Sequence, residues 1–179
     1  GNGMVKVITG LRRCGKSYLL FEIYRQYLLS TGVSEDEIVA LALDDDENAM
    51  YRNPMRLGEY LREQVSDQSK MYYVFLDEIQ KVVSVKNPYL DDTEEKIGFV
   101  DVVLMKKPNV DVYITGSNSK MLSSDIVTEF RGRGDEVRVS PLSYKEFYAA
   151  YEGDKWQAWQ EYFVYGGMPF LMRLKTHQA

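Results

Sequence analysis

The chain has 179 residues and a formal net charge of −5, and hydrophobic residues make up 45% of it, a balance typical of one globular domain. The acidic excess argues against a broad nucleic-acid surface, because such binding depends on Lys and Arg side chains that neutralise phosphates. One Cys and one His exclude a disulfide framework and a Cys/His zinc site, and a lone thiol fits a reducing compartment. No apolar stretch reaches the roughly 20 residues of a membrane span, so we predict a cytoplasmic protein.

The first predicted elements are a strand at residues 5–9 and a helix that begins at Ser17 and ends near Gly32. Between them, GLRRCGKS at residues 10–17 matches the Walker A pattern G-x-x-x-x-G-K-[ST], in the strand–loop–helix context that this motif requires. In such a loop, backbone N–H groups surround the β-phosphate, and the glycines permit a path that a Cβ would block. Lys16 would reach the β- and γ-phosphates, and Ser17 would bind Mg²⁺. The alternative is a surface helix that begins with glycine and lysine by chance.

This loop and the first helical residues are predicted to contact the nucleotide. They are Gly10, Leu11, Arg12, Arg13, Cys14, Gly15, Lys16, Ser17 and Tyr18. Arg12 and Arg13 contact a phosphate or a partner domain, or else remain solvated. Cys14 is either a small residue that fits the loop or a thiol whose alkylation would block nucleotide binding. Helical spacing predicts one apolar face in the helix that follows, formed by Leu19, Leu20, Ile23, Tyr27 and Leu28.

Two further predicted strands, at residues 38–43 and 71–76, are continuous apolar runs, as expected for strands covered on both faces. The first of them is predicted at a sheet edge, and the acidic residues 44–47 after it are predicted to be a solvated loop. The second ends in Asp77 and Glu78, an arrangement typical of Walker B. Asp77 should hold magnesium, and Glu78 should orient an attacking water as general base, unless Glu78 is only a solvated carboxylate. The acid pair favours hydrolysis, and the absence of an Asn-Lys-x-Asp run favours ATP over GTP.

Residues 84–95 are polar and are predicted to be a loop, followed by a short amphipathic helix at residues 98–105. The fourth strand, at residues 110–115, leads into Gly-Ser-Asn-Ser. We expect this strand to lie between the two strands that carry the Walker motifs, so Asn118 is the candidate polar sensor of the γ-phosphate and Ser117 is the second choice. The alternative is an ordinary turn, since Gly, Ser and Asn are turn-forming residues.

A helix is predicted over residues 119–130 and a short fifth strand over residues 137–139. Arg131 and Arg133 lie between them in a glycine-flanked loop that could present a guanidinium to a phosphate, in a neighbouring subunit for example. If they act in trans, the isolated domain should bind nucleotide but be nearly inert as an ATPase. The alternative is weak local pairing with the neighbouring carboxylates Glu129, Asp135 and Glu136.

The rest of the chain is predicted to be helical, at residues 144–151 and 156–165, up to GGMP at 166–169. Trp156, Trp159 and Phe163 share one helical face and are predicted to be core residues. The chain starts with Gly rather than Met and stops inside a predicted helix, so we expect one domain of a longer protein. The predicted division is an ATPase core at residues 1–152 and a helical extension at 153–179.

Strands that alternate with helices predict a mainly parallel sheet in an α/β protein. Five segments in this order, ITGLRRCGKSYLL, VFLDEIQKV, YITGSNSKML, EFRGRGDEVRVSPLSYKEF and YGGMP, resemble a family of uncharacterised bacterial and archaeal AAA-type ATPases with a C-terminal domain of unknown function. The resemblance implies a P-loop NTPase fold, an AAA+-like three-layer sandwich with a five-stranded sheet of order 5-1-4-3-2. It also implies nucleotide and hydrolysis roles for Lys16, Ser17, Asp77 and Glu78, and it matches residues 131–133 to the family's Gly-Arg segment. The family pattern also has an N-terminal helix and a C-terminal domain that are not among these residues. The resemblance implies that the helical end with GGMP is the connector to that C-terminal domain, and the alternative is a helix stop made by Gly-Gly and Pro.

The function predicted from these residues is ATP binding and Mg²⁺-dependent ATP hydrolysis by a prokaryotic AAA-type domain that drives or switches an attached partner domain. The arginine-finger interpretation adds a homo-oligomer as a possible assembly. One alternative is a nucleotide-bound scaffold or switch with little hydrolysis, and another is a P-loop kinase that phosphorylates a small acceptor. Neither nucleic-acid nor membrane binding is supported by the sequence, which does not identify the biological process or the substrate acted on.

Overall fold

The computed structural model describes residues 5–91, 94–103, 107–116 and 134–170. Its described strands are β1 (Val5–Gly10), β2 (Ile38–Ala42), β3 (Tyr72–Asp77), β4 (Val85–Lys86), β5 (Lys96–Ile97), β6 (Val110–Thr115) and β7 (Gly134–Val139). Five of them form one parallel sheet in the order β2-β3-β6-β1-β7. Numbered along the chain, this is the predicted order 5-1-4-3-2, with the second strand at an edge as predicted. The α/β fold class is therefore confirmed.

α-Helices flank the sheet. They are α1 (Lys16–Tyr18), α2 (Arg25–Ser30), α3 (Pro54–Gln64), α4 (Phe99–Val102), α5 (Tyr144–Ala149) and α6 (Lys155–Tyr165). Asn53 caps α3 by accepting a hydrogen bond from the Met55 N–H at 2.9 Å, and Pro54 occupies the first helical position. None of the helices in the described residues is long and apolar enough to cross a membrane.

The two faces of the sheet bury separate apolar clusters, which explains why the inner strands are continuously apolar. On one face, Val7, Val74 and Ile114 pack with Leu57 and Leu61 of α3. On the other face, Ile8 and Phe75 pack beneath the helix that follows β1. Leu57, Leu61 and Val65, predicted as the apolar stripe of α3, are each at most 1% exposed.

The helix after β1 departs from regular α geometry, because a π-helical segment, Leu19–Tyr24, joins α1 to α2. A π turn inserts one extra residue and so rotates the following side chains about the axis. Leu20 and Leu28 are buried as predicted, but Ile23 and Tyr27 are 52% and 59% exposed. The prediction of a single apolar face was therefore wrong for these two residues.

A polar chain runs beneath this π segment. Lys6 donates to Asp111 Oδ1, and the Tyr113 hydroxyl donates to Asp111 Oδ2 at 3.1 Å. The phenol oxygens of Tyr24 and Tyr113 lie 2.7 Å apart, which ties the π segment to β6. Burial raises the pKa of Tyr113, so its phenol stays protonated and available as a donor.

Three predicted boundaries differ from the structure. The polar residues 84–95 are not only a loop, because β4 and β5 pair as a short antiparallel ribbon. Strand β7 has six residues instead of three, since it pairs with β1 along its whole length despite its charged, exposed side chains. The predicted helix at 98–105 is confirmed as α4 over four residues, and the predicted helix at 119–130 lies outside the described residues.

The prediction that Trp156, Trp159 and Phe163 are core residues was wrong, since they are 74%, 44% and 79% exposed. Helix α6 instead packs on α5 through Ala158, which is fully buried, and through Tyr162 one turn later. The Tyr162 ring meets those of two α5 residues, Tyr144 and Phe147, with both centroid distances at 5.4 Å. The Trp159 ring also meets that of Tyr144, with the centroids 5.1 Å apart. Of the three predicted core residues, Trp156 and Phe163 are therefore the ones that α6 turns outward.

Candidate functional site

The site is built at the edge of the sheet where the parallel strands end. Strands β3, β6 and β1 are neighbours, and they end at Asp77, Thr115 and Gly10. This arrangement brings the two sequence motifs together, because the loop at residues 10–17 leaves β1 and the acid pair leaves β3. Open α/β sheets bind their ligands at such edges.

Glycine is favoured at two positions of the loop, for a different structural reason at each. Gly10 has φ 151°, and a Cβ there would lie 2.2 Å from the carbonyl oxygen of Val139 and 2.9 Å from the sulfur of Cys14. Gly10 is thus required by the close approach of β7 to the loop. Gly15 has φ 96° and is the N-cap of α1, a left-handed conformation that favours glycine.

Lys16 is buried inside the loop that it follows, and only 6% of it is exposed. Its ammonium group donates to the carbonyl oxygens of Gly10 at 3.2 Å and of Leu11 at 2.9 Å. These two hydrogen bonds hold the Lys16 ammonium group within the curve of the loop, where it could bind an anion. Ser17 and Tyr18 come next and are both exposed.

Cys14 is only 3% exposed, with its sulfur 3.5 Å from the Val139 carbonyl oxygen. This packing favours the interpretation of Cys14 as a small residue that fits the loop. Arg12 and Arg13 both line the cleft in front of the loop. Neither one forms a salt bridge within the part of the chain that the structure describes.

Asp77 is nearly buried, and its side chain is held by two donors on the same oxygen. The Thr115 hydroxyl donates to Asp77 Oδ1, and the backbone N–H of Glu78 donates to that atom at 3.0 Å. Sequence reasoning missed Thr115, although its position could have identified it. A hydroxyl residue that ends the strand beside β3 lies level with the acid that ends β3.

Glu78 follows Asp77 in a left-handed backbone conformation with φ 54°. The side-chain amide of Gln80 donates to Glu78 Oε2, a contact that sequence reasoning also missed. Within the described residues, Arg13 and Glu78 are the non-glycine residues with positive φ. Both lie in the candidate site, and residues held in such strained conformations cluster at functional sites.

A cleft of about 1020 Å³ joins these parts. One wall is formed by residues 12–19 and by Glu78, and the opposite wall comes from the C-terminal part of the chain, including Leu142, Pro169 and Phe170. The volume is at the upper end of the roughly 300–1,000 Å³ typical of ligand pockets. Sequence reasoning interpreted GGMP as a connector and did not predict this second wall.

Four other predicted residues, Ser117, Asn118, Arg131 and Arg133, lie outside the described residues. Glu136, one of the suggested local partners of these arginines, accepts a hydrogen bond from the Thr9 hydroxyl at 2.7 Å.

The acidic residues 44–47 are exposed, as predicted for a solvated loop. Asp45 accepts a hydrogen bond from the Glu47 N–H at 3.0 Å and caps the short 3₁₀ helix that follows. Within the described ranges, no three or more His, Cys, Asp or Glu side chains are grouped so that they could hold a metal.

Comparison with known sequences assigns the chain to a family and finds relatives that are longer than this chain. A family model described as an AAA domain matches residues 2–148. An uncharacterized protein of Haemophilus influenzae is 31% identical over 173 residues, which are 94% of this chain and 40% of that protein. An uncharacterized protein of Methanocaldococcus jannaschii is 31% identical over 147 residues, which are 80% of this chain and 28% of that protein. The chain thus spans less than half the length of these relatives.

Comparison with solved structures supports the same fold. C. elegans PCH-2 matches with a TM-score of 0.55 and 16% identity, over 83% of this chain and 38% of that one. At this identity the match shows a shared fold, the AAA+-like P-loop NTPase fold, and nothing of function. The match to the family model over residues 2–148 shows that the chain belongs to the AAA domain family, whose members are nucleotide-binding, ATPase-like domains.

Proposed function

We propose that the chain binds ATP with Mg²⁺ in this cleft and hydrolyses it to ADP and phosphate. One observation carries the proposal: the loop that holds Lys16 and the acid pair Asp77 and Glu78 lie at one edge of the sheet, with Glu78 facing the same cleft as the loop. A cation, a buried carboxylate and a second carboxylate beside one loop are what ATP hydrolysis requires.

The phosphate-binding step would fall to the loop and to Lys16. Phosphate oxygens would replace the carbonyl oxygens of Gly10 and Leu11 as acceptors for the Lys16 ammonium group. Backbone N–H groups of the loop would provide the remaining donors. Arg12 and Arg13, which line the cleft, would add positive charge for the triphosphate.

The donor set fits magnesium. The Ser17 hydroxyl and the Asp77 carboxylate are hard oxygen ligands of the type that Mg²⁺ takes from proteins. Within the described part of the chain, both donors to Asp77 bond Oδ1. Oδ2 would therefore be the oxygen that binds the metal or a water held by the metal. When bound, the metal would neutralise charge on the β- and γ-phosphate oxygens.

Glu78 would act as general base. It would accept a proton from a water whose oxygen forms a bond to the γ-phosphorus, while the bond from that phosphorus to the bridging oxygen of ADP breaks. The hydrogen bond from Gln80 would hold the Glu78 carboxylate in place. We also propose that Asn118 is the polar sensor of the γ-phosphate. Arg131 or Arg133 would be the arginine finger, which contacts the nucleotide of a neighbouring subunit in a homo-oligomer.

We further propose that this domain is coupled to a second one. The relatives are more than twice as long as the part this chain matches, which supports an attached domain whose position the nucleotide state changes. Residues 153–179 would connect the core at 1–152 to it.

The test compares ATP binding and ATP turnover in wild type, Lys16→Ala and Glu78→Gln, with Glu47→Gln as the matched control on an exposed acid. Lys16→Ala should lose ATP binding. Glu78→Gln should keep ATP binding and lower turnover by about 10²- to 10⁴-fold. Undiminished ATP affinity in Lys16→Ala would contradict the site, and unchanged turnover in Glu78→Gln would favour a nucleotide-bound scaffold. Transfer of phosphate to an acceptor instead of water would favour a kinase.

A further inference from the structure

A row of aromatic side chains on α6 is exposed. Trp156, Trp159 and Phe163 follow one another at helical spacing, and they are 74%, 44% and 79% exposed. We call these three side chains the aromatic face of α6. Such spacing is typical of the stripe that a helix buries, and contiguous exposed apolar surface marks sites of interaction. The pattern therefore indicates that another surface covers this face.

A pocket of about 490 Å³ opens at the start of the aromatic face. It is lined by Trp156 and Trp159, by Tyr144 of α5, and by Asp154 and Lys155. The rings of Tyr144 and Trp159 meet edge to face, with their centroids 5.1 Å apart, which fixes one side of the pocket. Among the described residues, the pocket shares no lining residue with the nucleotide cleft.

The chemistry of the pocket favours an apolar occupant. Asp154 Oδ1 accepts hydrogen bonds from the backbone N–H groups of Trp156 and Gln157, at 2.7 and 3.0 Å, so this acid serves as the N-cap of α6. The Tyr144 hydroxyl donates to the carbonyl oxygen of Lys155 at 2.9 Å. These polar groups bond to one another, and the aromatic rings remain as the contact surface. Pockets of this kind accept the large apolar side chains that anchor interfaces.

The size of the aromatic face favours a tethered partner over a separate one. An aromatic side chain buries about 150–250 Å², so the exposed parts of the three rings amount to roughly 300–500 Å². A stable interface between separate chains buries about 800 Å² on each partner, more than this face offers to a second copy. A covalently attached domain needs less area, because a short tether gives it an effective concentration in the mM range.

The relatives of the chain have room for such a domain. The match covers 40% of the Haemophilus influenzae protein and 28% of the Methanocaldococcus jannaschii protein, so most of each lies outside it. The inner side of α6 meanwhile contacts the wall of the nucleotide cleft. The Tyr162 hydroxyl donates to the carbonyl oxygen of Leu142 at 3.0 Å, and Leu142 lines the cleft. A domain on the aromatic face would thus be separated from the cleft wall by one helix.

We propose that the aromatic face of α6 docks the attached domain of the full-length protein, with a large apolar side chain of that domain in the pocket. The inference rests on the coupled domain of the proposed function and names the surface through which the two domains meet. It does not depend on which nucleotide the cleft binds.

Hydroxyl-radical footprinting, which measures the solvent exposure of single side chains, tests the inference on the 179-residue chain and on the full-length protein with the attached domain. Trp156 and Phe163 should react roughly tenfold more slowly in the full-length protein, because the centre of an interface excludes water. Tyr27, which is 59% exposed on α2, is the internal control and should react at the same rate in both proteins.

Trp156→Ala in the full-length protein tests the pocket as the anchor. Loss of this ring should make Phe163 as reactive as it is in the 179-residue chain. The Trp156 side chain is exposed in this chain, so its removal should not unfold the domain. Tyr27→Ala is the matched control, since it removes an exposed ring from another helix, and it should leave Phe163 protected.

Three results would overturn the docking surface and leave the nucleotide site standing. They are equal reactivity of Trp156 and Phe163 in the two proteins, protection of Phe163 that survives Trp156→Ala, and protection that grows with the concentration of the 179-residue chain, which would assign the face to a second copy. ATP binding measured on the same preparations tests the proposed function separately. Protection without ATP binding would overturn that function and keep the docking surface. A full-length protein with no sequence beyond the AAA domain would overturn the coupled domain and its docking together.

Discussion

Within the residues that the structure describes, two non-glycine residues carry backbone strain, Arg13 and Glu78, and both line one cleft. Arg13 and Glu78 adopt φ values of 67° and 54°, a left-handed conformation that costs an L-residue roughly 1–2 kcal/mol. Glycine would remove this cost at either position but would also remove the guanidinium or the carboxylate. The strain is therefore retained together with charged groups that the proposed chemistry uses.

Thr115→Val tests how Asp77 is held. The substitution keeps the β-branched shape but removes the hydroxyl that donates to a carboxylate that is 6% exposed. We expect a loss of about 1.5–3 kcal/mol in the free energy of unfolding, the usual value for a hydrogen bond to a charged group. Urea denaturation measures the loss.

Thr115→Ser is the control for this experiment, because it restores the hydroxyl while it removes a methyl group. The serine variant should be the more stable of the two. If the valine variant is as stable as wild type, the hydrogen bond to Asp77 does not contribute to stability.

At the scale of elements, the approach of β7 to the loop should make Gly10 far less tolerant than an ordinary glycine with positive φ. Gly32→Ala meets no atom within 4 Å, so its cost should be the backbone strain alone, about 1 kcal/mol. Gly10→Ala adds a contact of 2.2 Å with the Val139 carbonyl oxygen and should cost a further 1–3 kcal/mol or so. Guanidinium denaturation of both variants measures the difference, and equal stabilities would show that β7 can move away at no cost.

The outward turn of α6 can be tested in the same way. Tyr162→Ala should lower the free energy of unfolding by about 2–3 kcal/mol, because it removes a ring packed between Tyr144 and Phe147. Trp156→Ala should change the stability by less than about 0.5 kcal/mol, since the side chain is exposed. The reverse order of the two losses, measured by thermal or urea unfolding, would mean that α6 presents its other face to the domain.

Elements whose buried residues follow a regular pattern along the chain could be predicted from sequence. The inner strands are apolar at nearly every position because both faces of the sheet are covered, and the glycine-lysine loop combines residue types that few other structures need. Strand β7 was only half predicted, since its long register with β1 depends on backbone hydrogen bonds and not on apolar side chains. The π segment depends on tertiary packing, and so does the choice of which face of α6 is buried. The periodicity of apolar residues does not encode either of them. Thr115 and Gln80 gain their importance from contacts across strands and turns.

At the scale of the whole molecule, nucleotide binding should be visible as a gain in stability. A ligand at 100 times its Kd adds about 2.7 kcal/mol to the free energy of unfolding, which corresponds to roughly 5–10 °C in Tm for a chain of this size. We expect such a shift with Mg²⁺ and ATP, and a smaller one after EDTA removes the metal. Differential scanning calorimetry of wild type and Lys16→Ala provides the measurement. An identical shift in the Lys16→Ala protein would mean that ATP stabilises the fold from some other site.

Both tryptophans of the chain, Trp156 and Trp159, lie on α6 and are exposed. The native emission of the protein at tryptophan wavelengths therefore originates from one helix outside the two apolar clusters of the sheet. Acrylamide quenching would report directly whether another domain or chain shields that helix. Unfolding followed by this emission would describe the C-terminal helices alone, whereas circular dichroism would describe the sheet.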